Sequence, residues 1–158
     1  MKGQSVPEFV IATMFFFAVI LYVLSFLNST VWTFDRDHYN NFLQSRSAQI
    51  SEILVTTPGV WESGSPKSAG VADEWPVLNS TKISWLNDSC FSDYANLMRT
   101  FDIDPGRHYV DIDIMEEGNP EDLVQCERSS PEGIELATTR RTAVSDTGKI
   151  LIVEVAFW

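Results

Sequence analysis

Nineteen consecutive residues near the start of the chain, from Phe9 to Leu27, carry no charged side chain. Their sequence, FVIATMFFFAVILYVLSFL, is apolar at almost every position. As an α-helix this run would be ~28 Å long, which matches the hydrocarbon thickness of a bilayer. The mean hydropathy of the whole chain is only -0.04, so the apolar residues are concentrated in this run. We therefore predict a transmembrane helix over residues 4–27, followed by a polar domain.

The remainder of the chain is acidic. The 158 residues have a formal net charge of -11. This charge argues against nucleic acid or an anionic lipid surface as a partner, because both would repel it. We therefore expect no nucleic-acid-binding function. An acidic exterior is typical of a domain that faces solvent.

Cysteines and glycosylation sequons favour an extracellular position for the polar part. Cys90 and Cys126, the two cysteines of the chain, both follow the apolar run. An even number of cysteines outside the cell favours a disulfide between them, the alternative being two separate buried thiols. A metal site would require more ligands than their neighbourhood supplies. Three N-x-[ST] acceptor sequons for N-glycosylation, at Asn28, Asn79 and Asn87, point to the same compartment.

Beyond the apolar run, residues 28–57 are predicted to continue the helix in amphipathic form. Apolar residues recur there on one helical stripe, which comprises Tyr39, Phe42, Leu43, Ile50, Ile53 and Leu54. Pro58-Gly59 ends the pattern. The connecting segment NSTVWTFDRD has low helix propensity and permits either one continuous helix or a bend.

Residues 58–158 are predicted to form one globular head. The segment TTPGVWESGSPKSAGVADEWPVLNST indicates a loop, held to the core by Trp61, Val71, Trp75 and Val77. The segment STKISWLNDSCFSDYANLMRTFDI indicates short helices whose inward-facing residues are Ile83, Leu86, Tyr94, Leu97 and Met98. Alternation in HYVDIDI predicts a strand. GIELATTRRTAVS and KILIVEVAFW, separated by DTG, predict a β-hairpin.

These elements predict an α+β fold. Its long N-terminal helix is hydrophobic in the first half and amphipathic in the second. This helix packs on a C-terminal antiparallel β-sheet head with short helices and loops.

The head shows no catalytic motif. His38 and His108 are far apart in sequence, and no nucleophile elbow, zinc-protease motif or phosphate loop occurs. Calcium prefers carboxylate ligands, and the head has a group of carboxylates at Asp102, Asp104, Asp111, Asp113, Glu116 and Glu117. Their spacing matches no calcium loop. We interpret these acids as a solvated strand face and an acidic loop. Arg140 and Arg141 are interpreted as a solvated strand face or as ion-pair partners of these acids. We expect no enzyme activity, no cofactor and no metal.

Tryptophans offer a different kind of site. Trp61, Trp75 and Trp85 can either stack on a sugar or pack in the core, and packing is the more common role of the indole ring.

Glu8 immediately precedes the apolar run, where a carboxylate is costly. One role is structural, because Ser5-Val6-Pro7-Glu8 matches a capping box with Pro7 in the first turn. A second role is in assembly. Removal of the residues up to Gly3 would leave a free α-amine on Gln4, and the amine of a neighbouring subunit would neutralise Glu8. Both roles can hold together, and such a pair would set the register of packed helices.

The residues KGQSVPEF, followed by an uncharged apolar helix, resemble the class III signal peptide of archaeal type IV pilins and pilin-like proteins. TTPGVWESG, AGVAD and VLNSTKISWLN resemble the region after the long helix in this family, and RRTAVSDTGKILIVEVAFW resembles its closing hairpin. In the family a prepilin peptidase cuts before the Gln, and the Glu at the fifth mature position guides assembly. The resemblance implies that residues 1–3 are a leader, that Gly3-Gln4 is the scissile bond and that Glu8 is the assembly glutamate.

The same resemblance implies a structural subunit of a surface filament. Its partners would be the prepilin peptidase and other pilin subunits, which it would contact through the N-terminal helix. Before assembly the chain would lie in the cell membrane with its head outside, and afterwards in an extracellular filament. A large head with Cys90 and Cys126 favours a minor or accessory pilin. The alternatives are a membrane-anchored, non-polymerising extracellular binding or adhesion protein, and a secreted protein cut near Ser25.

Overall fold

A computed structural model describes residues 5–63, 65–119, 122–126 and 136–158. The chain divides into two compact units, Met1–Tyr39 and Asn40–Trp158. Helix α1, Ser5–Thr56, contributes to both. The elements that follow it are β1 (Val60–Glu62), β2 (Ser65–Ser68), β3 (Ala72–Glu74), β4 (Val77–Leu78), α2 (Ser80–Ser92), α3 (Tyr94–Thr100), β5 (Val110–Glu116), β6 (Asp122–Gln125), β7 (Ala137–Ser145) and β8 (Ile150–Phe157).

The first unit consists of the N-terminal part of α1. The segment NSTVWTFDRD, for which the sequence permitted a bend, is helical throughout. Short polar side chains often compete with helical backbone hydrogen bonds. Here the hydroxyls of Ser29 and Thr30 donate to the carbonyl of Phe26, at 2.9 and 2.8 Å, and so remain compatible with the helix. The unit boundary after Tyr39 falls inside residues 28–57, which we predicted as one amphipathic segment.

The second unit is built on a six-stranded sheet with the order β3-β4-β7-β8-β5-β6. β7 and β8 form the predicted hairpin, and β5 pairs antiparallel with β8 from Val110↔Phe157 to Glu116↔Leu151. The sheet is mixed rather than wholly antiparallel as predicted, because β4 pairs parallel with β7. Each strand contributes two residues to that parallel pairing, which is too short for a periodic pattern to indicate it in the sequence. The fold class is α+β, as predicted.

Residues predicted as a loop after α1 instead contain four short strands. β1 and β2 form a separate two-stranded sheet, and β3 and β4 extend the large sheet. Each has between two and four residues, which is too short for an alternating pattern to indicate a strand. Val71 is buried in the core as predicted, whereas Trp75 is exposed.

The core lies between the C-terminal part of α1, helices α2 and α3, and one face of the sheet. From the predicted α1 stripe, Leu43, Ile50 and Leu54 are buried. The prediction was wrong for Tyr39, which is 41% exposed, whereas Phe42 is partly exposed but packs its ring edge-on against that of the buried Phe157. All five inward residues predicted for the short helices are buried, namely Ile83, Leu86, Tyr94, Leu97 and Met98. The buried residues of the sheet include Val110, Ile112 and Ile114 of β5 and Leu151, Val153, Val155 and Phe157 of β8.

Two serines let α1 approach the sheet closely. Ser47 and Ser51, one helical turn apart, are fully buried. The Ser47 hydroxyl donates to the carbonyl of Val155 at 2.7 Å and hydrogen-bonds the Thr139 hydroxyl at 2.9 Å. The helix therefore contacts the sheet through small polar side chains whose hydrogen bonds are satisfied, and the apolar pattern did not reveal these positions.

Cys90 and Cys126 form a disulfide, which confirms the predicted pairing. Their Cα atoms are 5.2 Å apart, and both side chains are buried. Cys90 lies on α2 and Cys126 directly follows β6, so the bond joins the short helices to the edge of the sheet.

Candidate functional site

The N-terminal part of α1 carries an extended apolar surface. Met14, Phe15, Phe16 and Phe17 occupy consecutive helical positions, which point in different directions at steps of ~100°. All four are exposed, as are Phe9 at 72% and Tyr22 at 70%. The most apolar window of α1 has a mean hydropathy of 2.6 and buries none of its residues within the chain. A helix that is apolar on every side requires an apolar environment on every side.

By length and composition, this segment can cross a membrane, and no other helix in the described ranges meets the same criterion. The uncharged stretch extends beyond the predicted end at Leu27 to Phe34, so 26 residues separate Glu8 from Asp35. The Thr13 hydroxyl donates to the Phe9 carbonyl at 2.8 Å, so this polar group is satisfied within the helix itself.

Glu8 is exposed and lies in the first described turn of α1. Negative charge near a helix N-terminus is favourable because it interacts with the exposed N–H groups. Gly3 and Gln4, the predicted cleavage site, lie outside the described residues. The side chain of Ser5, which the predicted capping box requires, also lies outside the described part. Of the predicted assembly pair, the Gln4 amine and the Glu8 carboxylate, the structure describes Glu8.

The three glycosylation sequons occupy different positions. Asn28 is exposed on α1. Asn79 is the N-cap of α2, where its Oδ1 accepts a hydrogen bond from the Lys82 amide at 3.0 Å. Asn87 lies on α2, and its Oδ1 accepts a hydrogen bond from the backbone amide of Gln125 at 3.3 Å. Asn79 thus has a structural role that its position directly before a helix indicates, and glycosylation of all three stays a prediction.

A small polar cluster at the start of α2 ties the helix to the turn after α1. The Lys82 ammonium donates to the carbonyls of Pro58 and Ala72 at 2.6 and 2.8 Å, and it lies 3.3 Å from Asp73 Oδ1. Asn79 Nδ2 donates to Asp73 Oδ2 at 2.8 Å. The pKa of the Asp73 carboxyl is lowered by the Asn79 hydrogen bond, and further by the hydrogen bond and positive charge of Lys82. No motif in the sequence indicated this cluster, because its members lie in the turn after α1, in β3, directly before α2 and in α2.

In the part of the chain that the structure describes, no group of three or more His, Cys, Asp or Glu side chains is placed to hold a metal ion. Arg140 and Arg141 pair with Glu154 and Glu52. Of the two interpretations of these arginines, the solvated strand face agrees with their side chains, which are 70% and 40% exposed. The other, pairing with the acids at residues 102–117, is not what the structure has, because their partners lie on β8 and α1.

Of the candidate histidines and tryptophans, His38 and Trp75 are exposed, whereas His108, Trp61 and Trp85 pack against other rings. His38 lies in the first unit, and His108 stacks on Phe157 in the second, with ring centroids 5.2 Å apart. The Trp61 indole donates to the Gly70 carbonyl at 2.9 Å, and its ring centroid lies 6.1 Å from that of Trp85. Trp75, in contrast, is 65% exposed.

The apolar surface of residues 9–31, together with Glu8 at its start, is the candidate functional site. It differs from the rest of the described chain because its large side chains have no core to pack against. Its chemistry is that of a helix that enters a bilayer or packs among other helices. No protein-family model, curated protein or solved structure matches the chain.

Proposed function

We propose that the protein is a structural subunit of an archaeal type IV pilus-like surface filament, and a minor or accessory pilin rather than the main subunit. The observation that carries this proposal is an uncharged helical surface over residues 9–31 that is exposed on all sides and preceded by Glu8. Lipid covers this surface before assembly, and the helices of neighbouring subunits cover it in the filament. The class III leader pattern at residues 2–9 supports the same function.

In this proposal Glu8 aligns the subunits. A prepilin peptidase removes residues 1–3 and leaves a free α-amine on Gln4. The Glu8 carboxylate of one subunit pairs with the Gln4 amine of a neighbour inside the apolar bundle. An unpaired buried charge costs ~3–5 kcal/mol, so a shift in helix register would be strongly unfavourable.

The second unit then forms the head outside the cell. The Cys90–Cys126 disulfide supports this location, because structural disulfides persist in oxidising compartments. The uncharged stretch is long enough to reach from the membrane interior to its outer surface, at ~39 Å of helix.

The variant Glu8→Gln tests the pairing. It keeps the side-chain shape and removes the charge, so we expect processed, membrane-bound protein but at least about tenfold less of it in filaments sheared from the cell surface. Glu62→Gln is the matched control, because Glu62 is an exposed glutamate of β1 in the head. We expect the control variant to enter filaments at the wild-type level.

Two results would contradict this function in different ways. Recovery of Glu8→Gln in filaments at the wild-type level would exclude the pairing mechanism. Absence of the wild-type protein from purified filaments would favour the alternative, a membrane-anchored extracellular binding or adhesion protein that does not polymerise.

A further inference from the structure

A cleft of about 580 Å³ lies at one side of the sheet in the second unit. β4 pairs with β7 only at Val144 and Ser145, so in the described chain no strand covers the earlier part of β7 on that side. The space is bounded by the last turns of α1, the β3–β4 turn and β7. The side chains that line it include Glu52, Thr56, Trp75, Arg140, Arg141 and Thr142. Its volume falls in the range of small-molecule sites, roughly 300–1,000 Å³.

Trp75 presents an indole ring to this cleft from a fixed backbone. It lies in the two-residue turn between the paired positions Glu74 and Val77. The next residue, Pro76, accepts a hydrogen bond at its carbonyl from the Val144 amide at 2.9 Å, which holds the turn against β7. A large aromatic ring on a fixed turn loses little conformational entropy when it binds a flat apolar surface.

Charged groups in the cleft are arranged as neighbouring donors and acceptors. Arg141 Nη2 lies 2.8 Å from Glu52 Oε2, and both side chains remain partly exposed. Arg140 pairs with Glu154 across the β7–β8 ladder. Each guanidinium therefore has a carboxylate beside it, and the local charge is balanced. Arg141 Nε also donates to the Ser51 hydroxyl at 3.4 Å. Arginine has five N–H donors, so these two partners leave donors for a ligand.

This arrangement selects for a hydroxyl-bearing ligand without net charge. A sugar hydroxyl donates and accepts hydrogen bonds, so adjacent hydroxyls can bond to a carboxylate and a guanidinium side by side. An anionic ligand would be repelled by Glu52, and a cationic ligand by Arg141. The apolar C–H face of a pyranose ring matches the flat surface of an indole.

We propose that this cleft binds a neutral pyranose unit of a saccharide, whose ring stacks on Trp75 and whose hydroxyls bond to Glu52 and Arg141. The cleft lies in the second unit and does not depend on the apolar surface of residues 9–31. The proposal therefore stands whether or not the protein polymerises.

Saturation-transfer NMR on the full chain tests this site. The protein is kept in a detergent without a sugar head group, because a glycoside detergent would compete for the cleft. The probes are methyl α-glucopyranoside, methyl α-galactopyranoside and methyl α-mannopyranoside. We expect transfer to the ring protons of at least one of them. In Trp75→Ala we expect about tenfold weaker binding, because the stacking contact is lost.

Phe91→Ala is the matched control, because Phe91 is an aromatic residue of α2 that is 74% exposed and does not line the cleft. It should bind like the wild type. Glu52→Gln provides an independent variant on a different element, and we expect it to weaken binding because the carboxylate acceptor is lost. The proposal is overturned by absence of transfer to all three probes, by equal binding in Trp75→Ala and the wild type, or by tighter binding of methyl glucuronide than of methyl glucoside.

Discussion

At the scale of single residues, two glycines determine how the chain leaves α1. A Cβ atom on Gly59 would lie 2.3 Å from the carbonyl oxygen of Gly70, and one on Gly70 would lie 2.1 Å from that of Thr57. This close approach lets the Val71 amide donate to the Leu54 carbonyl at 3.1 Å. The last carbonyls of a helix lack partners within the helix, so the returning chain satisfies one of them here.

Gly70→Ala should therefore destabilise the head more than the same change at a glycine of similar backbone conformation. Gly106 is the matched control, because its φ of 121° resembles the 126° of Gly70 but no atom lies within 4 Å of its added Cβ. Backbone strain should lower the free energy of unfolding by ~1–3 kcal/mol in both variants. The steric overlap should add ~1–3 kcal/mol in Gly70→Ala alone. Urea unfolding measures the difference, and equal losses would show that the close approach is not the cause.

Asp73 should make stability depend on acid pH. Its folded-state pKa is lowered by Asn79 and Lys82, so its contribution is fully present above the unfolded-state pKa. That contribution is lost as the pH falls below about 4 and through the folded-state pKa. In Asp73→Asn we expect a smaller loss of stability between neutral and acid pH than in the wild type. Thermal unfolding across this range measures it. Asp102→Asn, which changes an exposed aspartate outside the cluster, is the control variant.

At the scale of elements, α1 shows how one helix serves two environments. Its N-terminal part is apolar all round and exposed, whereas its C-terminal part buries Leu43, Ile50 and Leu54. Helical periodicity predicted these three residues correctly because every third or fourth residue faces the same side, but it also placed the exposed Tyr39 on the stripe. It missed Ser47 and Ser51, which lie on the same face but are polar. Their fit depends on hydrogen-bond partners in β7, β8 and α1 itself.

The disulfide couples two further elements, α2 and the segment after β6. Cys90 and Cys126 are separated by 36 positions, so the bond restricts a long loop of the unfolded chain. Replacing both cysteines by alanine should lower the free energy of unfolding by ~3–4 kcal/mol. Thermal or urea unfolding of the double variant measures this loss. Intact-mass analysis with and without reductant checks the bond itself, and two freely alkylated thiols in the native protein would contradict it.

At the scale of the whole molecule, the proposed function makes a statement about processing. We expect the mature protein to begin at Gln4, because the proposed peptidase site lies before the apolar run and the helix must be retained for assembly. Mass spectrometry of the protein recovered from the cell surface identifies this terminus. A first residue near Phe26 would instead indicate a secreted domain that has lost its apolar segment, and would contradict the pilin proposal.

The sequence alone determined the features that depend on local geometry. The amphipathic stripe, the alternation in β5 and the β7–β8 hairpin follow from the fixed repeats of helix and strand backbones. The uncharged run is recognised from its length and its lack of charge. The pairing of Cys90 with Cys126 followed because the chain has only two cysteines. For the candidate site, Glu8 and the apolar run were evident from residue order, since a charge beside hydrocarbon is recognisable without coordinates.

Tertiary structure alone decided the features that join distant residues. The parallel pairing of β4 with β7 involves two residues and has no periodic pattern. Trp75 is exposed because it lies in the turn between β3 and β4, whereas Trp61 and Trp85 pack against each other. The contacts of Lys82 with Pro58 and Ala72 depend on carbonyls that the returning chain leaves within reach. Such contacts are selected by which polar groups remain unsatisfied after the elements pack, and residue order does not specify that.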